Sequence, residues 1–216
     1  MDFAAARHNM VESQIRPNRV TDERLIAAMA TVPREAFVPK ELRGVAYVDE
    51  AIPVGDGRYL MEPMVVARLM QEASPTAGDL ALTIGCGTGY AAAVLSHLVG
   101  AVVAVESDAA LARQASQTLT GMGIDTVAVI EGVLADGCRD QAPFDVIFFD
   151  GAVAEIPESV SSQLAEGGRL VAIVAGNGVG KGMLATRRRG ILTTREIFDA
   201  GTPLLPGFER KAAFIF

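Results

Sequence analysis

Cysteine is scarce in this chain: among 216 residues only Cys86 and Cys138 occur. They stand far apart, and Cys86 sits inside a glycine-rich loop, so no structural disulfide is expected and a reducing cytoplasm fits. Positive charge is also short. The 19 Lys and Arg against 26 Asp and Glu leave a net charge of −7, which argues against a nucleic-acid partner, because such surfaces carry a basic stripe. No run of about 18 apolar residues occurs, so no membrane partner or spanning helix is expected. Met1-Asp2-Phe3 offers neither a basic n-region nor an apolar h-region, and no signal peptide is expected. Internal repeats and low-complexity linkers are missing too. His8 and His97 are the only histidines, and neither has a ligand partner four residues on, so no metal site is expected. A Ser–His–Asp or Cys–His arrangement is absent, as is the phosphate-binding Gly-x-x-x-x-Gly-Lys.

What is present describes one globular domain. Half the residues are hydrophobic and 21% are charged, and the length allows a substantial core. Phe3–Ile15 and Asp22–Ala30 read as helices, the second with Thr21 as N-cap. Pro33 and Pro39 interrupt the chain, Gly44–Pro53 reads as extended, and Gly55-Asp56-Gly57 signals a turn. Pro63 opens a helix to about Ala73, since its missing N–H costs nothing in a first turn. From Asp79 onward, strand candidates alternate with helices. The strands are Leu80–Ile84, Val102–Val105, Thr126–Glu131, Phe144–Phe149 and Arg169–Val174. The helices are Tyr90–Leu98, Ala109–Met122 and Pro157–Ala165. Near-continuous apolar strands between helices predict a mostly parallel sheet covered on both faces. The tail Ile191–Phe216 offers two further strands around a Pro203–Gly207 turn. The expected architecture is α/β, doubly wound and Rossmann-like. Residues 1–62 form an N-terminal helical cap and a substrate loop, and residues 63–216 the cofactor-binding core.

Leu80–Ile84 runs straight into Gly85-Cys86-Gly87-Thr88-Gly89, and a helix-prone stretch follows. Glycine lets backbone approach a ligand because no Cβ intervenes. About twenty residues on, the next strand ends at Glu106, where an acid can bind the two hydroxyls of a ribose. The dinucleotide fingerprint Gly-x-Gly-x-x-Gly is not met, because Tyr90 holds its third position. The Gly-x-Gly-x-Gly order leaves the helix N-terminus less open to a pyrophosphate. It suits a nucleoside cofactor without phosphate, S-adenosyl-L-methionine, whose product is S-adenosyl-L-homocysteine.

With that loop placed, nearly the whole chain resembles the protein-L-isoaspartate O-methyltransferase family of class I methyltransferases. Arg7–Val11, Thr21–Met29 and above all Val32-Pro33-Arg34-Glu35-Ala36-Phe37-Val38-Pro39 carry the likeness. Ala46-Tyr47, Asp49, Ile52-Pro53, Gly55, Ala142–Asp145, Ile156-Pro157, Gln163-Leu164 and Gly167–Leu170 extend it. The resemblance implies methyl transfer to the free carboxylate of isoaspartyl residues in damaged proteins or peptides. It implies a cofactor site formed by Leu60, Met61, Met64, Gly85, Cys86, Gly87, Thr88, Gly89 and Tyr90. Glu106, Ser107, Gly132, Val133, Leu134 and Asp150 complete it.

Four positions depart from the family pattern. Its substrate loop, Gly-x-Thr-Ile-Ser-x-Pro with hydroxyls beside the transferring methyl, is Gly57-Arg58-Tyr59-Leu60-Met61-Glu62-Pro63 here, so Tyr59 and Met61 stand where Thr and Ser are expected. Val133 replaces an acid near the adenine edge. Asp150 stands at a strand end that is usually small and neutral. A carboxylate acceptor is already anionic and needs no general base, but it needs donors to orient it, which a Met thioether is not. Arg58 can grip a carboxylate with two hydrogen bonds; it also reads as a solvated loop cation. Asp150 reads as a site residue, a base or an orienting group, or as a cap of the next helix. The candidate catalytic residues are therefore Met61, Arg58 and Asp150. A catechol-type metal site at Asp150 would need more oxygen ligands, and only Asn177 is near in sequence. Arg187-Arg188-Arg189 reads as a solvated helix face. Two other readings stay open: the same fold acting on a small-molecule acceptor with Asp150 as base, and a non-catalytic cofactor-binding protein.

Overall fold

The computed structural model describes residues 1–55, 57–176 and 178–209. Strands β1 (Ile52–Gly55) and β2 (Arg58–Leu60) pair as a small antiparallel ribbon. Seven more form the central sheet: β3 (Leu80–Ile84), β4 (Ala101–Glu106), β5 (Val127–Glu131), β6 (Phe144–Val153), β7 (Leu164–Val174), β8 (Gly180–Arg188) and β9 (Ile191–Ala200). Their spatial order is β5-β4-β3-β6-β7-β8-β9. The first five are parallel, whereas β8 runs antiparallel to both of its neighbours. The order of connection reverses between β3 and β6, the place where open α/β sheets bind ligands.

Alternation along each strand divides the core. Ala81, Val102, Ala104, Val146, Phe148, Val171 and Ile173 pack on one face. Leu82, Ile84, Val103, Val105, Ile147, Phe149, Leu170 and Ala172 pack on the other. This period of two is why the strands read as continuous apolar runs: both faces are dry. The first face is covered by α1 (Phe3–Met10), α2 (Glu23–Thr31), α3 (Pro63–Ala73), α4 (Tyr90–Ser96) and α5 (Ala109–Gly121). The second face is covered more thinly. Leu134, Val160 and Leu164, with Leu205 and Phe208 from the C-terminal segment, do that work. No helix of the described residues is long and apolar enough to cross a membrane.

Several sequence expectations need correction. Asp22, not Thr21, caps α2, its carboxylate accepting from the Arg24 N–H at 2.9 Å. The Thr21 N–H turns to Gln71 instead. Gly44–Pro53 is not extended throughout: Lys40–Val45 coils into a 3₁₀ turn, and Arg34 donates to the Ala46 carbonyl that follows. The helix expected over Pro157–Ala165 is one turn, α6 (Glu158–Ser161). The sheet claims the rest, because the Gln163 carbonyl accepts from the Phe144 N–H. Strand β8 was not visible in its own composition; it is imposed by partners on both sides. Arg187-Arg188-Arg189 is not a helix face. It ends β8 and enters a hairpin in which Arg189 (φ 53°) and Gly190 (φ 75°) are both left-handed, the conformation a two-residue hairpin loop demands. Among the described residues after β9, up to residue 209, no further strand joins the sheet. Residues 202–208 run beside the end of β6, bridged at Ala152–Leu204. Asp56, Asn177 and residues 210–216 of the expected tail strand lie outside the described residues.

Candidate active site at the strand ends

The sheet register assembles the site. Ile84 pairs with Val105 on one side and with Phe149 on the other. One residue further along, Gly85, Glu106 and Asp150 therefore stand at one level across β4, β3 and β6. Alternation puts Glu106 on the face of Val102 and Ala104, and Asp150 on the face of Val146 and Phe148, so both point to the helical side. Asp150 belongs to β6 and caps no helix, which removes its capping reading.

Glu106 is fully buried. Its Oε1 accepts from the N–H groups of Ser107 (2.8 Å) and Asp108 (3.1 Å), and its Oε2 from the Gly87 N–H (2.7 Å). Asp108 then caps α5 by accepting from Ala110 and Leu111. The carboxylate is thus fixed by main chain on both sides, which a buried charge requires. Gly85 has φ 77°, and a Cβ there would stand 2.8 Å from both Arg58 Nη2 and Leu205 Cδ2; only glycine leaves room. The Thr88 hydroxyl donates to the Phe37 carbonyl at 2.6 Å. It ties the loop to the cap, and its side chain is committed there. Cys86 is buried, and burial pushes its thiol well above the usual range. It is a small packed side chain, not a reactive thiolate.

Arg58 is not a solvated loop cation. It is 3% exposed and donates from Nη2 to Glu106 Oε2 at 2.8 Å and to the Gly85 carbonyl. Arg58, Met61 and Asp150 line one cavity of about 10 Å³, with Tyr59, Gly151 and Thr202–Leu205. That is space for about one water molecule. Burial raises the Asp150 carboxyl to about 7, against the pull of nearby Arg58 and Arg34. Met61 is buried, and its carbonyl accepts from Arg34 Nη2 at 2.6 Å. Leu60 is buried beside it, and Met64 packs half-buried against the first-face core. At the other end, Gly132, Val133, Asp136, Arg139 and Asp140 line an open cleft of about 430 Å³. Val133 is 63% exposed and Leu134 is buried in the second-face core.

Sequence reasoning missed two parts of this site. One is Arg34, recognised only as part of a motif. It is fully buried, its guanidinium stands 4.9 Å from the Tyr90 ring centroid, and its Nη1 and the Tyr90 hydroxyl have no hydrogen-bond partner among the described residues. The charge within Val32-Pro33-Arg34, between apolar residues, was the available signal. The other is Leu205, which touches Gly85 and Gly151 from far along the chain. Nothing local announced that contact. Among the described residues no three His, Cys, Asp or Glu side chains converge as a metal site.

These residues suit a nucleoside cofactor in type. The αL glycine loop allows close approach, and the Glu106 carboxylate stands at the tip of β4. Their arrangement adds a condition. The donors on Glu106, three main-chain N–H groups, the Ser107 hydroxyl (3.4 Å) and Arg58, fill its acceptor positions, so a ribose diol reaches it only by replacing one of them.

Comparison with known proteins agrees. A model of the family described as protein-L-isoaspartate(D-aspartate) O-methyltransferase matches residues 5–196. The chain belongs to that family. A Koribacter versatilis protein-L-isoaspartate O-methyltransferase is 41% identical over 169 residues, 78% of this chain and 76% of the relative. One from Roseiflexus castenholzii is 39% identical over 209 residues, 96% of this chain and 95% of the relative. A solved protein-L-isoaspartate O-methyltransferase superposes with a TM-score of 0.81 at 27% identity, over 93% of this chain and 66% of that one. The fold is also that of a Plasmodium falciparum protein described as such a methyltransferase and solved with S-adenosyl-L-homocysteine. There the TM-score is 0.80 at 18% identity, over 92% and 97% of the two chains. The family is one of S-adenosylmethionine-dependent methyltransferases, and the class I fold expected from the sequence is the fold observed.

Proposed function

We propose that this chain transfers a methyl group from S-adenosyl-L-methionine to the free carboxylate of isoaspartyl residues in damaged proteins or peptides. One observation supports this above the others: Glu106, held by three main-chain N–H groups, stands level with Gly85 and Asp150 at the switch point of a family-matched sheet. The bound cofactor supplies the electrophile, a methyl on a positively charged sulfur. The protein's task is then alignment and exclusion of water. Gly85, Cys86, Gly87, Thr88, Gly89, Tyr90, Glu106 and Ser107 form the nucleoside side in this reading. Gly132, Val133 and Leu134 flank the base, and Leu60, Met61 and Met64 stand toward the transferring group. Residues 1–62 act as cap and acceptor loop over the core of 63–216.

At the acceptor end, Tyr59 and Met61 leave a carboxylate without the hydroxyls of the family pattern. Asp150 offers a replacement. A carboxyl that titrates at about 7 is half protonated at neutral pH, and its O–H donates to an acceptor carboxylate. Such a group does not need to act as a base. Two unpaired cysteines are in keeping with a reducing compartment, and we place the enzyme in the cytoplasm.

Transfer of labelled methyl to a matched isoaspartyl and aspartyl peptide pair tests the reading. Base-labile label on the isoaspartyl peptide alone is the expected result. Label on neither peptide, from protein that binds S-adenosyl-L-homocysteine, would move the acceptor to another chemical class, such as a small molecule.

A further inference from the structure

Arg58 and Glu106 form an ion pair with both side chains buried, at 3% and 0% exposure; every other ion pair among the described residues has at least one partner 20% exposed or more. The pair is incompletely satisfied. Among the described residues Arg58 Nε and Nη1 are buried without a hydrogen-bond partner, and so are Arg34 Nη1, the Tyr90 hydroxyl and Thr83 Oγ1. Unpartnered buried donors cost free energy, the more so on a charged group. A buried pair of this kind is weak support for stability. The arrangement makes better sense as one half of an exchange.

The five donors on Glu106 are unequal. Three are main-chain N–H groups of Gly87, Ser107 and Asp108, fixed by the loop and the start of α5. A fourth, the Ser107 hydroxyl, makes only a long contact of 3.4 Å to Oε1, and the fifth, Arg58, is a long, flexible side chain on Oε2 at 2.8 Å. A ribose diol donates to the same carboxylate; on Oε1 the weakly held Ser107 hydroxyl can rotate aside, and on Oε2 Arg58 is the donor that can be displaced without unfolding a loop. A displaced guanidinium needs a new anion. Arg58 borders the cavity of Met61 and Asp150, where the family's acceptor hydroxyls are missing. A carboxylate entering there meets a planar group able to bind it with two hydrogen bonds.

We propose that Arg58 is a displaceable latch, held on Glu106 until a ribose diol takes its place, and that it then grips the acceptor carboxylate. The second half of this proposal rests on the isoaspartyl reading above; the first half does not. A latched fraction lowers the apparent affinity for the nucleoside in proportion to the population that must open. The exchange also couples the two ligands: the acceptor is bound well only once the cofactor is in place.

Calorimetric titration with S-adenosyl-L-homocysteine, on wild type, Arg58→Ala and Arg58→Lys, tests this directly. Each variant is first checked for a cooperative thermal unfolding transition. Removing the latch is expected to tighten homocysteine-product binding by about tenfold in Arg58→Ala, with Arg58→Lys between it and wild type. The product-loaded Arg58→Ala protein is expected to bind the isoaspartyl peptide at least tenfold more weakly than loaded wild type. Equal or weaker product binding in both folded variants would overturn the latch. Tighter product binding with undiminished peptide affinity would overturn the grip. If loaded wild type binds neither the isoaspartyl peptide nor its aspartyl twin, the acceptor reading fails, while the product titrations still decide the latch. Should Arg58→Ala fail to fold, the Arg58→Lys titration carries the same decision.

Discussion

The two ends of the crevice are built from different material. At the proposed nucleoside end the groups are main chain, or are fixed by main chain: the glycine loop, and Glu106 clasped by Gly87, Ser107 and Asp108. Beside it lies an open cleft of about 430 Å³. At the proposed acceptor end the groups are side chains from distant segments, Arg58, Met61, Asp150 and Leu205, closed around about 10 Å³. A main-chain site is specified by strand register and by where glycine stands, and changes of neighbouring side chains scarcely alter it. A side-chain site is redefined by every substitution. That is how a family can keep its cofactor end while this member's acceptor end carries Arg58, Tyr59, Met61 and Asp150.

The largest expected effect comes from removing the acid that both ends share. Glu106→Ala takes away the proposed ribose acceptor and strands the buried Arg58 charge. It is expected to lower S-adenosyl-L-homocysteine affinity by more than about 100-fold. Breaking one side of a buried pair should also cost about 3–5 kcal/mol of stability. Calorimetry and urea unfolding measure the two effects separately. Product affinity within a few-fold of wild type would mean that Glu106 is not the ribose contact.

Next is a pair of glycine substitutions that contrasts tight with open main chain. Gly85→Ala forces a left-handed alanine, and a Cβ 2.8 Å from Arg58 and Leu205. Together these should cost about 2–4 kcal/mol. Gly132→Ala meets nothing closer than 3.6 Å, and its φ is not in the left-handed region. It should change stability by less than about 0.5 kcal/mol. Chemical denaturation of both variants checks the contrast, and similar losses would erase it.

Asp150→Asn probes the acceptor end through pH. Burial raises the folded carboxyl from its ordinary 3.8 to about 7, so folding takes up a proton between those values. The favourable contribution of this group is present in full below pH 3.8 and is lost as pH rises through 7. Asparagine cannot ionise. The variant should therefore gain on wild type with rising pH and level off above about 7, by on the order of 1–3 kcal/mol between pH 5 and pH 8. Melting temperatures at pH 5 and pH 8 read this out; a constant gap between the proteins would contradict it. In turnover, wild-type KM for the isoaspartyl peptide should climb above pH 7 as Asp150 ionises, and the variant's should stay flatter.

The smallest effect belongs to the open end. Val133 is exposed beside the cleft, and Val133→Asp restores the acid of the family pattern. Stability should stay within about 0.5 kcal/mol, and product affinity should tighten a few-fold. Weaker product binding would mean that the 132–134 segment faces away from the base.

The sequence disclosed these two ends unequally, for the same physical reason. Apolar runs, glycine positions and an acid at a strand tip are local features, so β3, β4, α4, α5 and the Gly85–Glu106 pairing were all legible. The acceptor end depends on contacts between residues far apart in the chain. Arg58 reaches Glu106 across 48 positions, and Leu205 lies against Gly85 from beyond the sheet. No local pattern separates a buried arginine in a turn-rich segment from a solvated one. Strand β8 was hidden likewise: Gly180 and Gly182 weaken strand propensity, yet backbone pairing to β7 and β9 decides the outcome. The helix over Pro157–Ala165 failed because pairing with Phe144 outweighs helix propensity after one turn.

A crystal structure of the chain with S-adenosyl-L-homocysteine tests the central claim most directly. The account predicts the ribose hydroxyls on the Glu106 carboxylate, the three main-chain donors still in place, and Arg58 moved off Glu106 toward Asp150 and Met61. The product bound with the Arg58–Glu106 pair still at 2.8 Å, or bound away from Glu106, would contradict it.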